Sequence, residues 1–483
     1  MVAALKDLIG LMLPIVGGQM LNSMADRWTV ALVGQWDYQI RAHYVAAGIG
    51  KMYSNVTGLS LGDAALLGLG TFAAQAHGAC TSHQVSALYV RRALFLLTLL
   101  FSLPLLAALF SESVLLAMRM PADVARCSAA FVRLQLLGLP FYWASSAARM
   151  ALNGAKKTSP GFKGHICSAV AQIIVSIVLM HPRLCNLGYL GAALARSIGG
   201  VVSLLTIAVC VKAGGLEYLV WRMPPNSEHI VKWSSLWAFL KVSLPSASIV
   251  WLEWWAFEFL AALVGWTPAA GREVNLAAHG AMFSCISILY RVWFGASNAM
   301  GILVSKHIGA DRQDELPSLL RAASLLSVAT SAVVAAGYEI WKCPLARAFT
   351  KDIVVQQALV ENSLGLVLSV PSFAQLMTFS GTLRGANRQR PAIVATLVGY
   401  WVVGLPAGGV LGCVVGWPTP LTGVWLGNAI ALFVAAAWVC ITVFVRIDWH
   451  SVRRLSEIEE ALVLPQAQNA RCPAPAEDLA ADS

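Results

Sequence analysis

The stretch WLEWWAFEFL, residues 251–260, sets two carboxylates into an otherwise apolar segment. From Val242 to Gly265, Glu253 and Glu258 are the only charged residues. A carboxyl group taken out of water holds its proton to higher pH, so a glutamate placed there can bind and release protons near neutrality. It can also attract a cation, and the ring faces of Trp251, Trp254, Trp255 and Phe257 would strengthen that attraction. Five residues apart, the two acids point about 140° away from each other on a helix. One is expected to line a cavity while the other meets a neighbouring helix. A structural ion pair or a capped polar contact is the alternative for each, with Arg27 and Asp26 as candidate partners.

The segment that holds these acids is one of many alike. The 483 residues are 58% hydrophobic and only 12% charged, with a mean hydropathy of +0.68. Soluble chains carry about 25% charged residues. Runs such as ALFLLTLLFSLPLLAALF are long enough to cross a bilayer as helices, and they lack the period-two alternation of a membrane barrel. The fold class is an all-α polytopic membrane protein. Twelve spans are expected, at 8–34, 44–79, 92–118, 124–152, 163–182, 187–212, 236–265, 274–304, 320–341, 352–382, 391–416 and 420–446. No cleavable signal peptide is expected, because the first apolar run continues as a span.

Basic residues cluster at one set of helix ends, among them Lys6, Arg91, Arg92, Lys156, Lys157, Lys163, Arg384, Arg388 and Arg390. This bias puts both termini in the cytoplasm. It also accounts for the net charge of +10 without a nucleic-acid partner. The cysteines and histidines form no metal-ligand pattern, and no nucleophile elbow or phosphate loop is present. No metal, cofactor or enzymatic activity is expected. Residues 447–483, ending in PQAQNARCPAPAEDLAADS, read as a disordered cytoplasmic tail.

A repeat runs through the apolar part. Leu13-Pro14 matches Leu244-Pro245, Gly78-Ala79 matches Gly309-Ala310, and Pro140, Gly154 and Pro160 match Pro371, Gly385 and Pro391. Every pair is 231 residues apart, as in 371 − 140 and 309 − 78. The chain is therefore expected to form a bundle at 1–230 and another at 231–446. With an even number of spans in each, the halves run parallel about an axis along the membrane normal, an arrangement typical of transporters. The offset also serves as a control. Glu253 falls on Asn22 and Glu258 on Arg27, so the acids belong to the second half alone. Arg27 and Glu258 could pair across the cavity.

These landmarks together resemble the multidrug and toxic compound extrusion (MATE) family in its eukaryotic branch, over residues 10–446. The resemblance rests on LPIVGGQML near the start, GTFAAQAHGA (70–79), LPSASIVWLEWWAFE (244–258), GTLRGANRQ (381–389) and GYWVVGLP (399–406). It implies an antiporter that exports organic cations, xenobiotics or secondary metabolites in exchange for protons, with sodium as the other coupling ion. It further implies that Glu253 and Glu258 couple ion binding to substrate release. Trp254 belongs to the same motif, Tyr290 falls on a tyrosine frequent in the eighth helix, and Gln19 and Asn55 match polar positions of the first two. Arg27 joins this set as the symmetry mate of Glu258.

Three positions depart from the family. Ser284 and Phe373 stand where relatives carry acids, and Gly70 replaces an aspartate. A less cationic substrate range would follow. A lipid-precursor flippase, or a homologue that has lost coupling, is the alternative. Asp63 could reach the first-half cavity or serve helix packing. Gly408 and Gly412 have the spacing of a helix-packing motif and are assigned to contacts within the bundle. Asn55-Val56-Thr57 is a glycosylation pattern buried in a span and is expected to stay unmodified. A monomer in the plasma or vacuolar membrane is expected, with the small-molecule substrate and the lipid bilayer as its partners.

Overall fold

The computed structural model describes residues 1–36, 41–79, 84–118, 120–222, 233–268, 271–349 and 352–452, and these are helical from end to end. Among the described residues ten helices are long and apolar enough to cross a membrane, and the bent pair Ala122–Leu136 and Leu139–Gly154 makes an eleventh span. The twelfth is Arg272–Gly309, a helix of 38 residues. Its polar side chains exclude it from a hydropathy count: Asn275, His279, Ser284, Ser287, Arg291 and Asn298 all lie on it. A helix this polar can cross a bilayer only with those groups turned away from lipid. It packs against the first, second, seventh, ninth and tenth spans.

Several expected spans are interrupted. The fourth bends by 47° where its two segments meet at Gly138. The tenth divides into Ile353–Glu361 and Leu364–Gly385, and the third into Gln84–Leu100, Ser102–Leu109 and Ser111–Ala117. The second span carries a π-helical turn at Asn55–Leu59. Side chains such as Leu103, Ile174, Val209, Val333, Val402 and Phe433 are exposed on the outside, where acyl chains would cover them. Gly408 and Gly412 pack on Pro420, Val424 and Gly427 of the last span, inside the bundle. The expected tail begins later than its sequence suggested. Trp449 and Val452 are buried, and the Trp449 indole donates to the Val443 carbonyl at 3.1 Å. The rest of the tail lies outside the described residues.

The repeat has a structural counterpart at the ends of the second and eighth spans. There Gly78 faces the Lys306 carbonyl and Gly309 faces the Gln75 carbonyl. Lys306 and Gln75 are themselves 231 residues apart, so these are one contact seen twice across an approximate two-fold axis. A Cβ at Gly78 would stand 2.2 Å from the Lys306 oxygen, and one at Gly309 would stand 2.3 Å from the Gln75 oxygen. The glycines thus allow backbone to touch backbone and close one end of the cleft between the halves. Fourth and tenth spans share a second landmark, a left-handed residue just past the helix. Lys156 (φ 57°) and Asn387 (φ 54°) occupy equivalent positions there.

Candidate functional site

Glu253 lies at the heart of the second half, 1% exposed, with Oε1 buried and without a hydrogen-bond partner. Tyr290 and Tyr400, from the eighth and eleventh spans, stand close enough to feel its charge. The Tyr400 hydroxyl is likewise buried and unpartnered, and Trp254 lies beside the Tyr290 hydroxyl. Aromatic rings fill the surrounding space. Phe373 is fully buried between Tyr290 (5.6 Å between centroids) and Trp293 (5.9 Å), and Phe257 packs against Tyr400 at 6.0 Å. A buried carboxyl group without a donor is costly in its charged form, and no cation pairs with it among the described residues.

Glu258 lies on a different face. It is exposed, on a stripe with Leu244, Trp255 and Phe259. The two acids diverge as their five-residue spacing requires. Arg27 does not reach Glu258. Its guanidinium instead donates to Ser287 Oγ at 2.7 Å and to the Ser284 carbonyl at 3.4 Å, both on the polar eighth span. Serine oxygens one turn apart satisfy the arginine there, so the pairing suggested by symmetry is replaced by a contact between the first and eighth spans.

Gln19 lines a cavity of about 70 Å³ between the first, second, fourth, fifth and eighth spans. Asp63, Tyr142, Ser146, Arg149, His165, Arg291 and Phe294 share its wall. Asp63 accepts from the Tyr142 hydroxyl at 3.0 Å and from Ser146 at 3.3 Å. Of its two sequence readings, the structure thus places it at the cavity. Arg149 donates to Ser146 at 2.6 Å and to Ser145 at 3.0 Å. Gly70 is buried near Met150, away from those polar contacts.

Asn55 belongs to a separate network. Its Oδ1 accepts from Arg196 at 3.1 Å, and Arg196 also pairs with Asp26 at 3.3 Å. Lys51 stands 3.9 Å from the same carboxylate, and Gln172 donates to Asp26 at 2.9 Å and to Thr29 at 3.3 Å. The seven residues singled out in the sequence therefore fall into separate places. Glu253, Trp254 and Tyr290 sit together, Gln19 lines the first-half cavity, Asn55 joins the Asp26 network, Arg27 contacts the eighth span, and Glu258 faces outward. Sequence reasoning passed over Lys51, Arg149, Arg196 and Arg291. The signal that marked Glu253, a charge inside an apolar span, marks each of them equally.

Two related helical halves enclosing polar sites at mid-span define a membrane transporter. The MatE family model matches residues 14–178 and again 245–409. Both ends of the two matches are 231 residues apart, 245 − 14 and 409 − 178. The chain is similar to Multidrug and toxin extrusion protein 1 of Danio rerio, 25% identical over 425 residues, covering 86% of this chain and 68% of that relative. It is similar also to Protein DETOXIFICATION 16 of Arabidopsis thaliana, 25% identical over 426 residues, 86% and 84% of the two chains. Its fold is similar to that of the eukaryotic MATE transporter AtDTX14, with a TM-score of 0.81 at 19% identity over 95% of this chain and 99% of that one. The chain belongs to the MATE family of multidrug and toxin extrusion transporters.

Proposed function

We propose that the protein is a secondary antiporter that exports small organic compounds, xenobiotics or secondary metabolites, driven by an inward flow of protons. The observation that carries this reading is Glu253, a carboxyl group fully buried with one oxygen unsatisfied. Such a group accepts a proton readily and has no structural ion pair to lose when it does. Protonation removes a buried charge and lets the carboxyl donate to Tyr290 or Tyr400. Repacking of that aromatic cluster is the step that would alter substrate affinity.

With both termini in the cytoplasm, the seal at Gly78 and Gly309 would lie on the cytoplasmic side and the conformation would be outward-facing. Protons would then reach Glu253 from outside and leave it after the bundles rock about the axis. Efflux from proteoliposomes under a pH gradient alone, and under a sodium gradient alone, tests the reading. Uphill movement with the pH gradient is expected. Movement with sodium only would refute proton coupling and leave export standing.

A further inference from the structure

Charges inside the bundle do not cancel one another. Asp26 answers two cations, Arg196 and Lys51. Asp63 and Arg149 share the Ser146 hydroxyl, so their charges are opposed at one remove. Arg291 lines the same cavity, close enough for its charge to be felt by both Asp26 and Asp63 but without direct contact to either. Among the described residues no carboxylate lies within 4.0 Å of it, and its Nε is buried without a hydrogen-bond partner. Arg27, likewise without a carboxylate, occupies the next turn of the same face through Ser287. A guanidinium in the interior of a membrane protein needs a counter-ion or a ligand.

The rest of the cavity suits an anion. The Asn22 amide and His165 Nδ1 are hydrogen-bonded at 2.6 Å, which fixes the imidazole at the cavity wall. Arg149 is oriented by serine hydroxyls rather than neutralised by direct contact with an acid. Phe162 and Phe294 supply ring faces at the wall. Asp63 also lines the cavity, with its oxygens already engaged by Tyr142 and Ser146.

We propose that this cavity holds the anionic group of the transported compound, and that the substrate is an aromatic organic anion bearing a carboxylate or sulfonate. Arg291 is the principal contact, with Arg149 beside it and Phe162 and Phe294 against the aromatic body. This departs from the organic cation that the family resemblance implies. It agrees with the loss of acids at Ser284 and Phe373. It rests on the export reading above and narrows it to one substrate class.

The test uses the full-length protein in proteoliposomes, with two probes: radiolabelled p-aminohippurate, an aromatic carboxylate, and radiolabelled tetraethylammonium. Binding to the purified protein is measured alongside uptake. Saturable binding and gradient-driven movement of the anion are expected. Loss of a charge-assisted hydrogen bond in Arg291→Gln should weaken binding by roughly tenfold to a hundredfold, and Arg291→Lys should recover part of it. Movement of tetraethylammonium alone, or anion binding equal in Arg291→Gln and the parent, would overturn the assignment while leaving export intact. If neither probe binds or moves in vesicles that hold their gradients, the anion assignment falls.

Discussion

Adding one methyl group at Gly78 should hold open the end of the cleft that the structure shows closed. The new Cβ would lie 2.2 Å from the Lys306 carbonyl oxygen, against a minimum near 3.0 Å for real contacts, so the second and eighth spans must separate by 0.8 Å (3.0 − 2.2). Backbone occupies both sides, and no rotamer change relieves the clash. Overpacking of this kind costs about 1–3 kcal/mol. Set against a two-state equilibrium, that shifts the population roughly 5- to 150-fold toward the form open at this end. The same separation relieves the clash of a second methyl at Gly309, because the two contacts are related by the pseudo-two-fold axis. Gly78→Ala/Gly309→Ala should therefore cost clearly less than the sum of the single changes. Ala74, one turn inside the seal and fully buried, provides the reporter. Ala74→Cys should resist a water-soluble thiol reagent in the parent and react in the glycine variants, read by mass spectrometry of the peptide carrying position 74. Equal reactivity in parent and variants, or a double mutant whose shift equals the sum of the singles, refutes the reasoning.

Three further outcomes follow from the site geometry. Glu253→Gln, a mimic of the protonated carboxyl, should fold and bind substrate yet lose uphill transport under a pH gradient; undiminished transport in proteoliposomes would remove Glu253 from the coupling step. Asp26→Asn leaves Lys51 and Arg196 facing one another without their carboxylate, so stability should fall by about 3–5 kcal/mol. A thermal melt in detergent reads this, and an unchanged Tm would show that the network is not stabilising. Phe373→Ala empties a fully buried ring site between Tyr290 and Trp293, for a loss of about 3–5 kcal/mol, and chemical denaturation in mixed micelles checks it.

The sequence made the class and the repeat legible because both are written in spacing. Apolar runs of membrane length announce spans, and a constant offset survives although few residues are identical. The span expected at 274–304 is the helix Arg272–Gly309, although its polar side chains keep it out of a hydropathy count. Contacts were less legible. Symmetry placed Arg27 opposite Glu258, but an arginine takes whichever oxygens its helix brings nearest, here Ser287 and the Ser284 carbonyl. The bend at Gly138 went unread although Gly138 and Pro140 are helix breakers in the sequence; there the glycine packs closely against Ser197 of the sixth span. Arg149 and Arg291 carried the same sign as Glu253 did, a charge within an apolar run, and they went unused.

Comparison of equivalent positions explains why the halves differ in chemistry while sharing a fold. Adding 231 converts Tyr142 to Phe373, Asp63 to Phe294, Asp26 to Phe257, Lys51 to Met282 and Asn55 to Ile286. Each of these five polar residues thus has an apolar counterpart in the second half, and the rings among those counterparts pack around Tyr290 and Tyr400. In the other direction Glu253 replaces Asn22, which in the first half only braces His165. Symmetric backbones give the two bundles a common axis on which to rock. Asymmetric side chains then separate the tasks. Arg149 of the first half and Arg291 of the second line one cavity, and Glu253 is isolated among the aromatic rings of the second half. On the proposed reading, a proton bound at Glu253 would alter the packing of a cluster whose rings, Tyr290 and Phe294, lie on the same helix as Arg291. The eighth span is then the element through which the two sites would be coupled, and its unusual polarity follows from having to serve both.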